Sequence, residues 1–310
     1  MIRFWLILRV ALTGLFSSPV ALSPLCASDY IRTEDVVYAR RDGQSLTLDI
    51  FQPKETTNGA GIILCVSGGF KSNKEILNLV SGKVVPEFTR RGYVVFAVLH
   101  SNAPQYSVPE IIDDMHQAVR FIKAQADKFR VKPDRLGIAG ASSGGCLSLM
   151  MGCNARPGRP DAADPLERHS SQVAAVGCFF PPTDFLRYEE KPPANFDYEG
   201  LFPYRKFDAA ANKHIPISKL ERQAIGKACS PFHCANKQAA PTLIIHGDKD
   251  ELVPLEQSEI LIQKLTACGV RCEIAVKKGF GHDPIMVVLF RQELADWFDE
   301  QLLNRPRKRQ

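Results

Sequence analysis

Leu136-Gly-Ile-Ala-Gly-Ala-Ser-Ser-Gly-Gly-Cys146 runs from a short apolar segment, through a Gly-x-Ser-x-Gly pattern, into the apolar, helix-like stretch Cys146 to Met151. A serine on a sharp strand-to-helix turn sits in strained backbone geometry. Glycines on either side, here Gly140 and Gly144, let neighbouring backbone pack closely. The Ser142 hydroxyl then projects beyond a sheet edge with the positive end of a helix behind it. A Gly-Ala-Ser-Ser-Gly-Gly string alone is also a flexible turn, so its meaning rests on what surrounds it.

Upstream, Asp35 to Arg40 and Ser45 to Phe51 alternate apolar and polar residues around Asp42-Gly43, which predicts an antiparallel hairpin. Gly61 to Val66 and Tyr93 to Leu99 are continuous apolar runs of buried strands. Between them helical periodicity spans about Glu75 to Arg91. A second amphipathic helix covers Val108 to Phe129. Downstream, a Pro-rich loop (Asn154 to Ser171) leads to a strand over Val173 to Phe180, closed by Pro181-Pro182. Residues 183–229 are aromatic and Pro-containing without a clear period, and read as a lid or cap that includes short helices. Thr242 to His246 is a strand, Glu256 to Cys268 a helix, Glu273 to Lys277 the last strand, and Pro284 to Leu303 the last helix. Strands alternating with helices after a hairpin predict an α/β fold: a mostly parallel sheet covered on both faces, with ligands at the strands' carboxyl ends. Ser67 to Phe70, Ser142, Asp250 and His282 all follow predicted strands and converge there.

A serine hydroxyl needs a base to take its proton. His282, in Lys278-Gly-Phe-Gly-His282, lies on a glycine-bearing loop that lets the imidazole point back to the sheet edge. The imidazole needs an acceptor to fix its tautomer. Asp250, in His246-Gly-Asp-Lys-Asp-Glu-Leu-Val-Pro254, is the favoured acceptor; Asp248 is the rival, read as a turn residue bonding local N–H groups. The order Ser, Asp, His suits this architecture. The oxyanion of acyl transfer needs preorganised donors. Candidates are the backbone N–H groups of Ser143, Gly68 and Gly69. His246, ending a strand, reads as structural, and His100, His116, His214 and His233 show no metal-ligand spacing. Cys229-Ser-Pro-Phe-His233-Cys234 lacks a second ligand pair at zinc spacing. No metal or cofactor is expected.

Apolar residues make up 45% of the 310, as in a soluble protein with a sizeable core, and the net charge is a mild +5. Part of the basic excess sits in the tail, residues 305–310, read as a solvated end and not a nucleic-acid site. Met1 to Arg9 carries positive charge and leads into apolar Val10 to Leu25, with small residues at Cys26-Ala27-Ser28. That layout predicts a signal peptide over residues 1–27, export to the periplasm or medium, and no membrane partner after cleavage. Residues 28–304 then form one catalytic domain, with the cap at 183–229 as an insertion. Of nine cysteines, Cys65, Cys146 and Cys178 fall in apolar elements. Cys229/Cys234 and Cys268/Cys272 are the closest pairs, and spacing decides neither.

On Gly140-Ala-Ser-Ser-Gly144, His246-Gly-Asp-Lys-Asp-Glu-Leu-Val-Pro254 and Gly279-Phe-Gly-His282, the chain resembles α/β-hydrolase-fold serine hydrolases, in particular secreted acetylxylan and feruloyl esterase-like carboxylesterases. Ala103-Pro104 and Pro182-Thr183-Asp184 are also similar to loops of those enzymes. The resemblance spans roughly Asp35 to Leu303. It implies Ser142 as nucleophile, His282 as base, Asp250 as acid, and a small-molecule or saccharide-linked ester as substrate. Relatives often carry His-Gly-Gly-Gly-Trp after the third strand; this chain has Val66-Ser-Gly-Gly-Phe70, which puts the oxyanion-hole geometry and the acyl preference in question. Phe70, Tyr106 and Phe185, with Tyr188, Phe202 and Tyr204, are candidates for an aromatic substrate pocket or for cap core. The same motifs resemble the catalytic domain of dipeptidyl-peptidase-like serine peptidases, which normally carry a large preceding domain. Peptidase action and a non-catalytic binding protein on this fold are the alternatives.

Overall fold

The computed structural model describes residues 29–190, 201–203, 205–208 and 212–307. The expected signal segment, with Cys26, lies outside them, as does Tyr204. Asp42 and Gly43 both take positive φ (49° and 81°), the signature of a two-residue type I′ turn. They join β1 (Tyr30–Arg41) to β2 (Gln44–Pro53) as the predicted antiparallel hairpin. β3 (Gly61–Val66) follows, then α1 (Lys74–Ser81) and α2 (Val85–Thr89). The sequence predicts one helix here. Gly82 and Lys83 end the first, and Pro86, which lacks the N–H an interior position needs, opens the second.

β4 (Val94–Leu99) leads to α3 (Val108–Ala124) and the short α4 (Ala126–Phe129), separated where Gln125 leaves helical geometry. β5 (Leu136–Ala141) and α5 (Ser143–Cys153) carry the Gly-x-Ser-x-Gly stretch, and β6 (Ala175–Phe179) follows the Pro-rich loop. Among the described residues of 183–229, expected to form a cap, lie α6 (Phe185–Glu190), an antiparallel pair β7 (Arg205–Asp208) and β8 (Lys213–Pro216), then α7 (Lys219–Ala228). Short helices are found there as expected, and a strand pair accompanies them. Four-residue strands that, among the described residues, pair with each other alone are too short to print a period of two. After α8 (Pro231–Cys234) come β9 (Thr242–Gly247), α9 (Glu256–Ala267), β10 (Cys272–Lys277), α10 (Ile285–Leu289) and α11 (Arg291–Leu303). The predicted last helix is broken at Phe290.

The main sheet runs β1-β2-β4-β3-β5-β6-β9-β10, antiparallel through the first three strands and parallel from β4 to the edge strand β10. This is the α/β-hydrolase arrangement that the resemblance implies. In β3, Ile63 and Cys65 join the core under α3, α5 and α9; Ile62, Leu64 and Val66 join the core under α1, α2 and α11. Both faces are covered, so the run is continuously apolar. Trp297 and Phe298 of α11 are fully buried on the second face, each worth roughly 1.5–3 kcal/mol relative to exposure. Arg91 fastens α2 to α11: its guanidinium donates to Glu87 (2.7 Å), Asp296 (2.5 Å) and Asp299 (2.9 Å). Tyr93 Oη donates to the other Asp299 oxygen at 2.9 Å.

Arg307 does not behave as part of a solvated tail. It pairs with Glu273 and with Glu300 (2.6 Å) and lies over the Trp297 ring at 5.0 Å. The cysteines from Cys65 to Cys272 are free thiols. Among the described residues no helix is long and apolar enough to cross a membrane.

Candidate active site

The carboxyl ends of β3, β5, β9 and β10 meet at one rim. At the end of β5, Ser142 has φ 54° and ψ −122°, a conformation that costs a residue with a side chain of order 1–3 kcal/mol. Close packing enforces it. A Cβ at position 140 would stand 2.3 Å from the carbonyl oxygen of Gly144, and one at 144 would stand 2.7 Å from that of Cys65. Only glycines allow α5 to start so near the sheet. Ser142 N–H donates to Phe179 O (2.9 Å), which fixes the turn against β6.

His282, on the loop after β10, lies with Nε2 2.9 Å from Ser142 Oγ and Nδ1 2.8 Å from Asp250 Oδ2. An ionised carboxylate only accepts, so Nδ1 carries the proton and Nε2 is left to accept from the serine hydroxyl. Asp250 is buried. Burial pushes its pKa up, but donors from His246, His282 and the Val253 N–H outweigh this and hold the carboxyl well below the usual range. Its Oδ1 accepts from the N–H groups of Leu252 (3.0 Å) and Val253 (2.8 Å). Asp248 makes no contact of this kind. Its carboxylate accepts from Gly279 N–H at 2.7 Å, so it pins the loop that carries His282 and not its own turn.

His246 is fully buried, with Nδ1 2.6 Å from Ser258 Oγ and Nε2 2.9 Å from Val253 O. Its Nε2 is also 3.3 Å from Asp250 Oδ2, so the residue supports the acid as well as satisfying itself. Phe180, which sequence reasoning did not single out, has φ 37° and packs its ring against the His282 imidazole, tilted by 59° with the centroids 4.5 Å apart. Its signal was its position, directly after β6 and before Pro181-Pro182.

The three proposed oxyanion donors differ. Ser143 is the first residue of α5, where a helix leaves its N–H unused. Gly68 is spent: its N–H donates to Lys71 O (2.9 Å), and Lys71 N–H returns to Gly68 O (3.0 Å). That corrects its assignment. Between them Gly69 and Phe70 take φ of 57° and 58°, the central positions of a type I′ turn. The backbone bonds that close that turn run between Gly68 and Lys71, and neither uses the N–H of Gly69 or Phe70. Ser67, which stands at the first glycine of the His-Gly-Gly-Gly-Trp pattern, bonds Ser143 Oγ at 2.9 Å and ties this loop to α5.

A cavity of about 820 Å³ opens at Ser142, walled by Phe70, Phe180, Leu201, α1 and the segment around α10. Of the aromatic candidates for substrate contact, Phe70 lines it. Phe185 is fully buried between Phe70 and Phe202, with ring centroids at 6.1 and 5.3 Å. Tyr106 is buried under the Arg41 guanidinium at 5.7 Å. Both are core packing and not cavity wall. Among the described residues no group of three or more His, Cys, Asp or Glu is placed to hold a metal.

The family model described as BD-FAE matches residues 48–265. Esterase LipC of Mycobacterium tuberculosis is 25% identical over 260 residues, 81% of this chain and 60% of that protein. The chain spans about half to three-fifths of the length of the first curated relatives it matches. A structure titled "Truncated form of carbohydrate esterase from gut microbiota" superposes with a TM-score of 0.69 at 25% identity, covering 89% of this chain and 98% of that one. Likeness to peptidases is narrower: Dipeptidyl-peptidase 5 of Porphyromonas endodontalis is 26% identical over 175 residues, 56% of this chain and 22% of that protein.

Proposed function

The chain belongs to the BD-FAE family, and from that premise and the geometry of the rim we propose that it is an exported serine hydrolase cleaving carboxylic esters through an acyl-enzyme on Ser142. The observation that carries this is the His282 imidazole held between Ser142 Oγ (2.9 Å) and Asp250 Oδ2 (2.8 Å). Similarity to esterases over most of the chain supports the reaction class. The charged-then-apolar start supports export.

In the proposed mechanism Ser142 Oγ attacks the ester carbonyl carbon while His282 Nε2 takes the hydroxyl proton. Asp250 stays ionised and stabilises the imidazolium that forms. The carbonyl oxygen, now an oxyanion, accepts from Ser143, Gly69 and Phe70 N–H; loss of one such donor typically costs about 3–4 kcal/mol of barrier stabilisation. The tetrahedral centre collapses, the C–O bond to the alcohol breaks, and His282 returns its proton to the leaving oxygen. Water, deprotonated by His282, then releases the acid and restores the serine.

The test is labelling by a fluorophosphonate together with turnover of a short acyl ester and of a dipeptide amide. Labelled wild type, unlabelled Ser142→Ala and ester turnover support the reading. Amide turnover without ester turnover favours the peptidase alternative, to which the partial likeness to Dipeptidyl-peptidase 5 lends weight. Folded wild-type protein that neither labels nor turns over ester is a binding protein on this scaffold.

A further inference from the structure

The wall of the cavity at Ser142 is built by aliphatic side chains from separate elements: Ile76 and Val80 of α1, Val84, Leu201, and Val287 and Val288 of α10. Its mouth is apolar too. Leu79 (77% exposed), Ile285 (45%) and Leu252 (37%) line the cavity and face solvent, three large hydrophobic side chains left uncovered around one opening. The polar side chains of the lining are Ser67, Lys71 and the groups already at the reacting centre, Ser142, Ser143 and His282. Among the described residues no carboxylate, carboxamide, arginine, tyrosine or tryptophan lines it.

A sugar ring carries a hydroxyl on nearly every carbon, and a buried hydroxyl without a partner is penalised. A feruloyl ring brings a phenol and a methoxy oxygen with the same need. An aliphatic chain needs no partner and gains with every methylene removed from water. Resting on the ester-hydrolase reading above, we infer that the substrate is an ester bearing an unbranched aliphatic chain, which fills this cavity from the Leu79, Leu252 and Ile285 mouth inward. The chain belongs either to the acid or to the alcohol. The chemistry of recognition is the same for both, and a pair of substrate series separates them.

The purified full-length protein is assayed with 4-nitrophenyl esters from acetate through butyrate and hexanoate to octanoate, and with alkyl acetates from ethyl to octyl. Methyl ferulate and acetylated xylo-oligosaccharide are run beside them. One series is expected to rise by about threefold in kcat/KM per methylene, and the series that rises identifies the side of the ester. Leu79→Asp and Ile285→Asp, at positions exposed enough to leave the fold intact, lower the octanoyl-to-acetyl (or octyl-to-ethyl) ratio about tenfold. Turnover of acetyl esters with both series flat or falling, or a preference for the ferulate or the saccharide, overturns this inference and leaves the ester hydrolase standing. No turnover of any ester by protein that a thermal melt shows to be folded overturns both.

Discussion

Asp250 keeps its charge in a buried position because four donors converge on it: the His282 and His246 rings and the N–H groups of Leu252 and Val253. Its folded carboxyl therefore titrates below its unfolded one. The stabilisation this gives is fully present above the ordinary carboxylate range, near pH ~4, and is lost as the pH falls through the folded value. Asp250→Asn removes it. The variant is expected to melt lower than wild type at about neutral pH, with the gap closing below about pH 4. It is also expected to lose about 10³–10⁴ in kcat, since an amide does not hold the imidazole in the productive tautomer. Melts and ester kinetics over an acid-to-neutral series check both. The meeting of Ser142, Asp250 and His282 was legible in sequence because each follows an apolar run that had to be a strand. The loss of Gly68 as a donor was not. It depends on Phe70 accepting a left-handed backbone (φ 58°), which its residue type does not announce.

Among the elements, the junction of β5 and α5 tolerates the least change. The carbonyl of Gly144 stands 2.3 Å from where a Cβ at position 140 would sit, and backbone, unlike a long side chain, has nowhere to swing. Gly140→Ala is expected to cost about 1–3 kcal/mol or more in stability through overpacking. It is also expected to displace Ser142 enough to lower kcat/KM at least 100-fold; denaturant titration and kinetics read the two. Strands β3, β4 and β5 were readable because burial on both faces leaves an uninterrupted apolar run. Helix ends were less so. The break between α1 and α2 is marked by Gly82 and Pro86, but the break at Phe290 leaves only a φ of −105° that no residue type predicts. The pair β7 and β8 escaped because it lies outside the sheet whose pattern organises the rest.

Across the whole molecule, the sheet is clamped on one face by Arg91, which gathers Glu87, Asp296 and Asp299 from two helices far apart in sequence. Those carboxylates are partly solvated, so each pair alone is weak, but removing the shared cation leaves three like charges together. Arg91→Met is expected to lower the melting temperature by several degrees at low salt, with part of the loss recovered at high salt where repulsion is screened; calorimetry at two ionic strengths checks it. The order of the strands has a consequence of its own. Ser142 and His282 are 140 residues apart, and the histidine hangs from β10, which is hydrogen-bonded along one side only. On the mechanism proposed above, the hydroxyl gains its base only when β10 seats against β9, and a fraying of that margin separates the two again.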